Sequence, residues 1–120
     1  MNRQTCIDTV RAHTPFDENE AESYAAILEF LEAHDRFWQR DNYVGHLTAS
    51  AWVVNPARSQ VLLTHHKKFD GWFQLGGHVE PGDTSLLSTA LREAKEESGI
   101  PAIEPLQTAI FDVGHHLHSP

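Results

Sequence analysis

The stretch Gly76–Ile100, GGHVEPGDTSLLSTALREAKEESGI, decides how this chain is to be read. Its second half predicts a helix over 85–98. Asp83, Thr84 or Ser85 can cap the start, and Leu87, Leu91 and Ala94 form an apolar stripe. Gly99-Ile100-Pro101 supplies a terminating glycine, an apolar residue and a stop. On that helix Glu93, Glu96 and Glu97 fall at i, i+3 and i+4, so three carboxylates share one face. Like charges so spaced destabilise an isolated helix by about 0.2–0.5 kcal/mol per pair, and Arg92, four residues before Glu96, offsets only part of that. A hard divalent cation such as Mg²⁺ relieves the repulsion, because it takes oxygen ligands and is commonly held by one or two carboxylates together with substrate phosphates. The Gly76-Gly77 pair reads as a turn in which backbone can approach such an ion, with the Gly76 carbonyl available to its shell. A Glu-Glu pair alone is ordinarily a solvated face and a Gly-Gly pair alone a turn. The joint spacing carries the signal.

Working outward, the period changes on either side of this stretch. His46–Val54 and Gln60–Thr64, separated by the turn-forming Asn55-Pro56-Ala57-Arg58-Ser59, read as an antiparallel hairpin. Trp72–Leu75 reads as a third strand running into Gly76-Gly77, and Leu106–Val113 as a strand after the helix. Upstream, Asp17 and Glu20 fit a capping box, and Tyr24, Ile27, Leu28 and Leu31 recur at helical spacing, which predicts a helix over about 18–34. Pro15 separates it from a short helix or loop around Ile7–Ala12.

Gly76–Ile100 resembles the signature of the Nudix hydrolase family, G-x5-E-x7-R-E-U-x-E-E-x-G-U with U aliphatic. Counted from Gly77, HVEPG leads to Asp83 where the family has Glu, eight residues instead of seven precede Arg92, and Ala94 takes the aliphatic position. The match R-E-x-x-E-E-x-G itself is complete. The resemblance implies an α+β fold, an α/β/α sandwich around a mixed sheet, over residues 42–120, with residues 1–41 as an N-terminal helical extension. It further implies Mg²⁺- or Mn²⁺-dependent cleavage of a pyrophosphate bond in a nucleoside diphosphate linked to another moiety. Glu96 and Glu97 match the principal metal ligands, Glu93 a ligand or general base, Arg92 the arginine that orients the carboxylates, and the Gly76 carbonyl a backbone ligand. Glu93, Glu97 and Arg92 are thereby the expected catalytic set, and Gly76, Glu93, Glu96 and Glu97 the expected metal ligands. Chemically this is coherent, since a pyrophosphate's negative oxygens must be neutralised before water attacks phosphorus. Asp83 is expected either to cap the helix or to support the cluster from behind. His78 is expected either to reach a substrate phosphate or to be a turn histidine bonded to backbone.

Composition narrows the remaining classes. The 120 residues carry 9 Lys+Arg against 17 Asp+Glu, a formal net charge of -8, with 40% hydrophobic residues. Such a chain folds as one modest domain and repels a phosphate backbone, so no nucleic-acid partner is expected. A lone Cys6 forbids an internal disulfide, and no apolar run or signal pattern is present, which predicts a cytoplasmic protein with no membrane partner. Lys67 and Lys68 could touch substrate, though exposed turn lysines are ordinarily solvated. Trp52, Trp72 and Phe73 could stack on a base, though aromatics in strands ordinarily fill a core. His65 and His66 point to opposite strand faces and cannot share an ion, and His116 and His118, without a cysteine partner, make a poor zinc site. The resemblance also implies further strands and a closing helix for which residues 43–120 leave no length. An incomplete C-terminus, strand or helix exchange in a homodimer, or cover supplied by the N-terminal helix is therefore expected. The competing functional reading is a nucleotide-binding or regulatory module with weak or no turnover.

Overall fold

The computed structural model describes residues 1–115. Two helices open the chain. In α1 (Arg3–Arg11) the Asn2 side chain accepts from the Thr5 amide, and in α2 (Glu18–Ala33) the Asp17 side chain accepts from the Glu20 amide. Only this half of the expected capping box forms. The Glu20 carboxylate turns instead to His13 Nε2, while His13 Nδ1 faces the Ile110 carbonyl at 3.1 Å. Cys6, Ile7 and Val10 of α1, Leu31 of α2 and Phe37 make the buried core, with Tyr24, Ile27 and Leu28 partly buried against it as their spacing predicts. Leu47, Leu86 and Ile110 pack onto the same cluster and tie the helical pair to the rest of the chain. Burial pushes the Cys6 thiol up to about 11, which makes it a core side chain rather than a reactive one.

Among the described residues six short strands follow: β1 (Thr48–Ala51), β2 (Val53–Val54), β3 (Val61–Leu62), β4 (Thr64–His66), β5 (Gly71–Phe73) and β6 (Leu75–His78). The predicted hairpin forms in its inner part, Val53 opposite Leu62 and Val54 opposite Val61. Asn55 holds its turn by accepting from the Ser59 and Gln60 amides at 2.9 and 3.1 Å. The outer part pairs elsewhere: β1 lies antiparallel to β6, with Thr48 opposite His78 and Ala51 opposite Leu75, and β4 pairs with β5. Among the described residues every pairing is antiparallel, so no parallel component of a mixed sheet is present in them.

Two readings of the decisive stretch change. Gly76, Gly77 and His78 are not a turn; they extend β6. The reason is steric, since a Cβ on Gly76 would lie 2.3 Å from Ser50 Cβ and 2.7 Å from the Ala49 carbonyl, so only glycine allows β1 this close. After the tight Glu80–Asp83 turn, α3 (Leu86–Ser98) packs across β1 and β6. Its cap is Ser85, not Asp83 or Thr84: Ser85 and Ser88 exchange side-chain to amide bonds at 3.1 and 3.0 Å. Gly99, with φ 71°, ends the helix as its position predicts. Ala94 of the expected stripe is fully buried, joined by Thr89, whereas Leu87 and Leu91 are only partly covered.

The strand expected over Leu106–Val113 does not form among the described residues. The segment returns to the N-terminal helices, where its polar groups find side-chain partners in place of a ladder. Ile110 joins the core cluster, its carbonyl meets His13, and His115 Nδ1 lies 2.8 Å from Ser23 Oγ. Leu106 and Phe111 stay exposed. Asp112 faces Glu20, and burial followed by that carboxylate raises its proton affinity above the ordinary range. His116 and His118 lie outside the described residues.

Candidate active site

The site is organised around one guanidinium. Arg92 projects from α3 toward the β6–α3 connection and uses all five of its N–H donors. Nε and Nη2 form a fork on Asp83 at 3.0 and 2.9 Å, Nη2 also donates to the His78 carbonyl at 2.9 Å, and Nη1 reaches Glu93 at 3.0 Å and Glu96 at 3.4 Å. Asp83, 7% exposed, accepts in addition from the Glu80 amide and the Thr89 hydroxyl, each at 2.9 Å. The Arg92 fork holds the Asp83 carboxyl far below the usual carboxylate range against the opposing effect of burial, and Asp83 in turn raises Arg92 above its ordinary value. Asp83 is therefore the anchor of Arg92, not a helix cap. Thr89, a buried hydroxyl near the N-terminal end of α3, is the functional neighbour that sequence reading missed. A polar residue on the core side of an amphipathic helix was its only signal.

The carboxylates divide into a pair and an outlier. Glu93 lies over β6, so close that a Cβ on Gly77 would stand 2.8 Å from its carboxyl carbon. Glu97, one turn on, accepts from the Gly76 amide at 3.1 Å and faces Glu93. Although Glu97 is exposed along much of its length, its carboxylate end is pressed to the strand. Desolvation there, reinforced by Glu93 and opposed by the Gly76 amide and His66, raises its proton affinity. Glu96 is 62% exposed and touches only the outer branch of Arg92. Among the described residues no group of three His, Cys, Asp or Glu side chains is drawn together closely enough to hold a metal ion. The expected set thus meets at Gly76 through Glu93 and Glu97, with Glu96 outside it.

His78 sits in β6 with its ring stacked on His46 at 5.0 Å between centroids. Burial, then Arg40 and His46, lower its proton affinity, so at neutral pH it is an uncharged hydrogen-bonding group. The aromatics expected to fill a core do not: Trp52, Trp72 and Phe73 are 49%, 67% and 47% exposed.

One positive charge thus stands among four carboxylates, two of which, Glu93 and Glu97, face each other over glycine backbone. Residues 44–119 match the family model of the NUDIX domain. The chain belongs to the Nudix family and is a hydrolase acting on pyrophosphate bonds. Hydrolases of this family generally use divalent metal ions and act on nucleotide derivatives. No curated protein matches the chain. Among the described residues no helix is long and apolar enough to cross a membrane.

Proposed function

We propose that the chain hydrolyses the pyrophosphate bond of a nucleoside diphosphate linked to another moiety, using Mg²⁺ or Mn²⁺ held by Glu93 and Glu97. The Gly76 carbonyl would add a backbone ligand, and Glu96, outside the pair in this structure, would join only by leaving Arg92. The observation that carries this reading is the Glu93–Glu97 pair over Gly76-Gly77, with Glu93 against Gly77 and Glu97 on the Gly76 amide, two carboxylates facing each other where a cation would relieve their repulsion. The exposed Glu96–Arg92 contact at 3.4 Å is weak enough to be exchanged for an ion at small cost. When bound, the divalent ion neutralises the diphosphate oxygens and acidifies the attacking water.

The chain's own residues do the rest. Asp83 fixes Arg92, and Arg92 Nη1 fixes Glu93 Oε1, which sets the orientation of the Glu93 carboxylate. Glu93 accepts the proton that the water loses, the water oxygen bonds to phosphorus, and the bridging P–O bond breaks to leave two phosphate monoesters. Uncharged His78, at the end of β6, donates to a phosphate oxygen. Cover for the sheet comes from the N-terminal helical unit, residues 1–41, whose core cluster already receives Leu47, Leu86 and Ile110.

The test is release of nucleoside monophosphate from a panel of nucleoside diphosphate derivatives in the presence of Mg²⁺ or Mn²⁺. Turnover by the wild-type chain and its loss in Glu97→Gln support the reading. No turnover of any member with either ion, or undiminished turnover in the variant, refutes it.

A further inference from the structure

Thr89 stands three residues before Arg92 on α3 and is fully buried. A threonine inside a helix ordinarily returns its hydroxyl proton to the carbonyl four residues back. Thr9 does so in α1, donating to the Thr5 carbonyl at 2.8 Å. Thr89 behaves differently. Its Oγ1 lies 3.3 Å from the Ser85 carbonyl but 2.9 Å from Asp83 Oδ2, and a hydroxyl has a single proton to give. The shorter contact, to a charged acceptor, takes it. The Ser85 carbonyl keeps the Thr89 amide at 3.1 Å, so the helix itself is intact.

We infer that Thr89 is a positioning residue for hydrolysis: its hydroxyl, drawn off the helix backbone, pins the carboxylate that aims Arg92 at Glu93. Asp83 Oδ2 is held from three sides, each at 2.9 Å, by the Glu80 amide in the turn and by the Thr89 hydroxyl and Arg92 Nη2 on α3. These holds are not equivalent. Arg92 has a long, flexible stem and an outward alternative, since Nη1 also reaches Glu96, which is 62% exposed. Thr89 is short, β-branched and walled in, so its oxygen is fixed relative to the α3 backbone. The guanidinium therefore meets Asp83 where Thr89 holds it. With Nε on Oδ1 at 3.0 Å and Nη2 on Oδ2, the plane of the fork is set, and that plane brings Nη1 to Glu93 Oε1 at 3.0 Å. Without the hydroxyl, Asp83 keeps the Glu80 amide and the guanidinium, but its carboxylate can rotate together with Arg92. Arg92 then follows the exposed Glu96, and Glu93 over Gly77 loses the donor that orients it.

The bearing on turnover rests on the metal-dependent hydrolysis proposed above, so the test includes one readout that needs neither metal nor substrate. Wild type, Thr89→Val, Thr89→Ser and Thr89→Ala are compared as full chains. Valine keeps the branched shape without the hydroxyl, and serine keeps the hydroxyl on a smaller side chain. In the metal-free protein, hydrogen exchange at the Arg92 Nε–H, followed by heteronuclear NMR, is expected to be about tenfold faster in Thr89→Val than in wild type. Mn²⁺ affinity, read from the free ion by electron paramagnetic resonance, is expected to weaken about tenfold in the same variant. At saturating Mn²⁺, kcat for the fastest substrate of the nucleoside diphosphate panel is expected to fall about tenfold, with KM changed less than about threefold. Thr89→Ser is expected to restore most of what Thr89→Ala loses in each readout. Should Thr89→Val fail to fold by circular dichroism, the comparison of serine with alanine isolates the same hydroxyl. Exchange at Arg92 unchanged in a folded variant without the hydroxyl overturns the assignment. So does a serine variant no better than alanine, or faster exchange with Mn²⁺ affinity and kcat both unmoved, which would leave Thr89 a structural contact only. A wild type that neither binds Mn²⁺ nor turns over any nucleotide refutes the hydrolytic reading by itself, and the Arg92 exchange still decides whether Thr89 holds the fork.

Discussion

Replacing Asp83 by alanine removes the anchor on which the whole carboxylate geometry rests. The side chain is 7% exposed and accepts four hydrogen bonds, two of them from the Arg92 fork. Breaking a buried ion pair by deleting one partner costs about 3–5 kcal/mol. Arg92 is 25% exposed and retains Glu93 and Glu96, so part of its charge stays solvated and paired, which lowers the expectation to about 2–3 kcal/mol. Asp83→Asn should cost nearly as much, since an amide cannot accept the two-pronged fork without turning its NH₂ toward a donor. Urea unfolding at neutral pH measures both, and a cycle with Arg92→Ala should give a coupling of about 1–3 kcal/mol. The pH dependence has a definite sign. The folded-state value of Asp83 is depressed, so its contribution is fully present above the ordinary 3.8 and is lost as pH falls through the folded value. The gap between wild type and Asp83→Ala should therefore be flat from about pH 8 to 5 and close only in stronger acid. A cost below about 0.5 kcal/mol, or a coupling near zero, would mean that water screens the pair and that Arg92 is positioned by something else.

The two adjacent glycines should separate stability from chemistry. Gly76→Ala drives a methyl into Ser50 and the Ala49 carbonyl and should cost about 2 kcal/mol or more in thermal or urea unfolding. Gly77→Ala meets only the movable end of Glu93, so stability should change by less than about 1 kcal/mol. Its turnover should nonetheless fall about a hundredfold as Glu93 is displaced. Glu97→Gln should raise the melting temperature of the metal-free protein at neutral pH. Glu97 has a raised folded-state value, so its stabilising contribution is complete below the ordinary 4.5 and is lost as pH rises through the folded value. The advantage of the variant should accordingly vanish on acidification, and added Mg²⁺ should stabilise the wild type but not the variant.

The helices were legible in the sequence because local signals set them. Asp17 and Gly99 mark ends, and the Tyr24–Leu31 spacing marks a buried stripe. The partners of the strands were not legible, because they depend on contacts distant in sequence. Gly76-Gly77 has the composition of a turn, and only the approach of Ser50 makes it a strand. Leu106–Val113 has the composition of a strand, yet His13 meets the Ile110 carbonyl and Ile110 itself packs on the helical core, with His115 just beyond held by Ser23. At the site, helical spacing put Glu93, Glu96 and Glu97 on one face, whereas only Glu93 and Glu97 meet and Glu96 lies outward beside Arg92. That Asp83 would serve Arg92 rather than cap α3 depended on the Ser85–Ser88 exchange, which frees Asp83 from the cap. The exposed rings of β5 were unreadable for a related reason, since burial of a short strand is decided by what packs over it.

The assignment of Glu93 and Glu97 is tested most directly by titrating the metal-free protein with Mn²⁺ and following the free ion by electron paramagnetic resonance. We expect saturable binding that excess Mg²⁺ displaces, weakened at least about tenfold by Glu93→Gln and by Glu97→Gln. Binding of equal strength in wild type and both variants would contradict it.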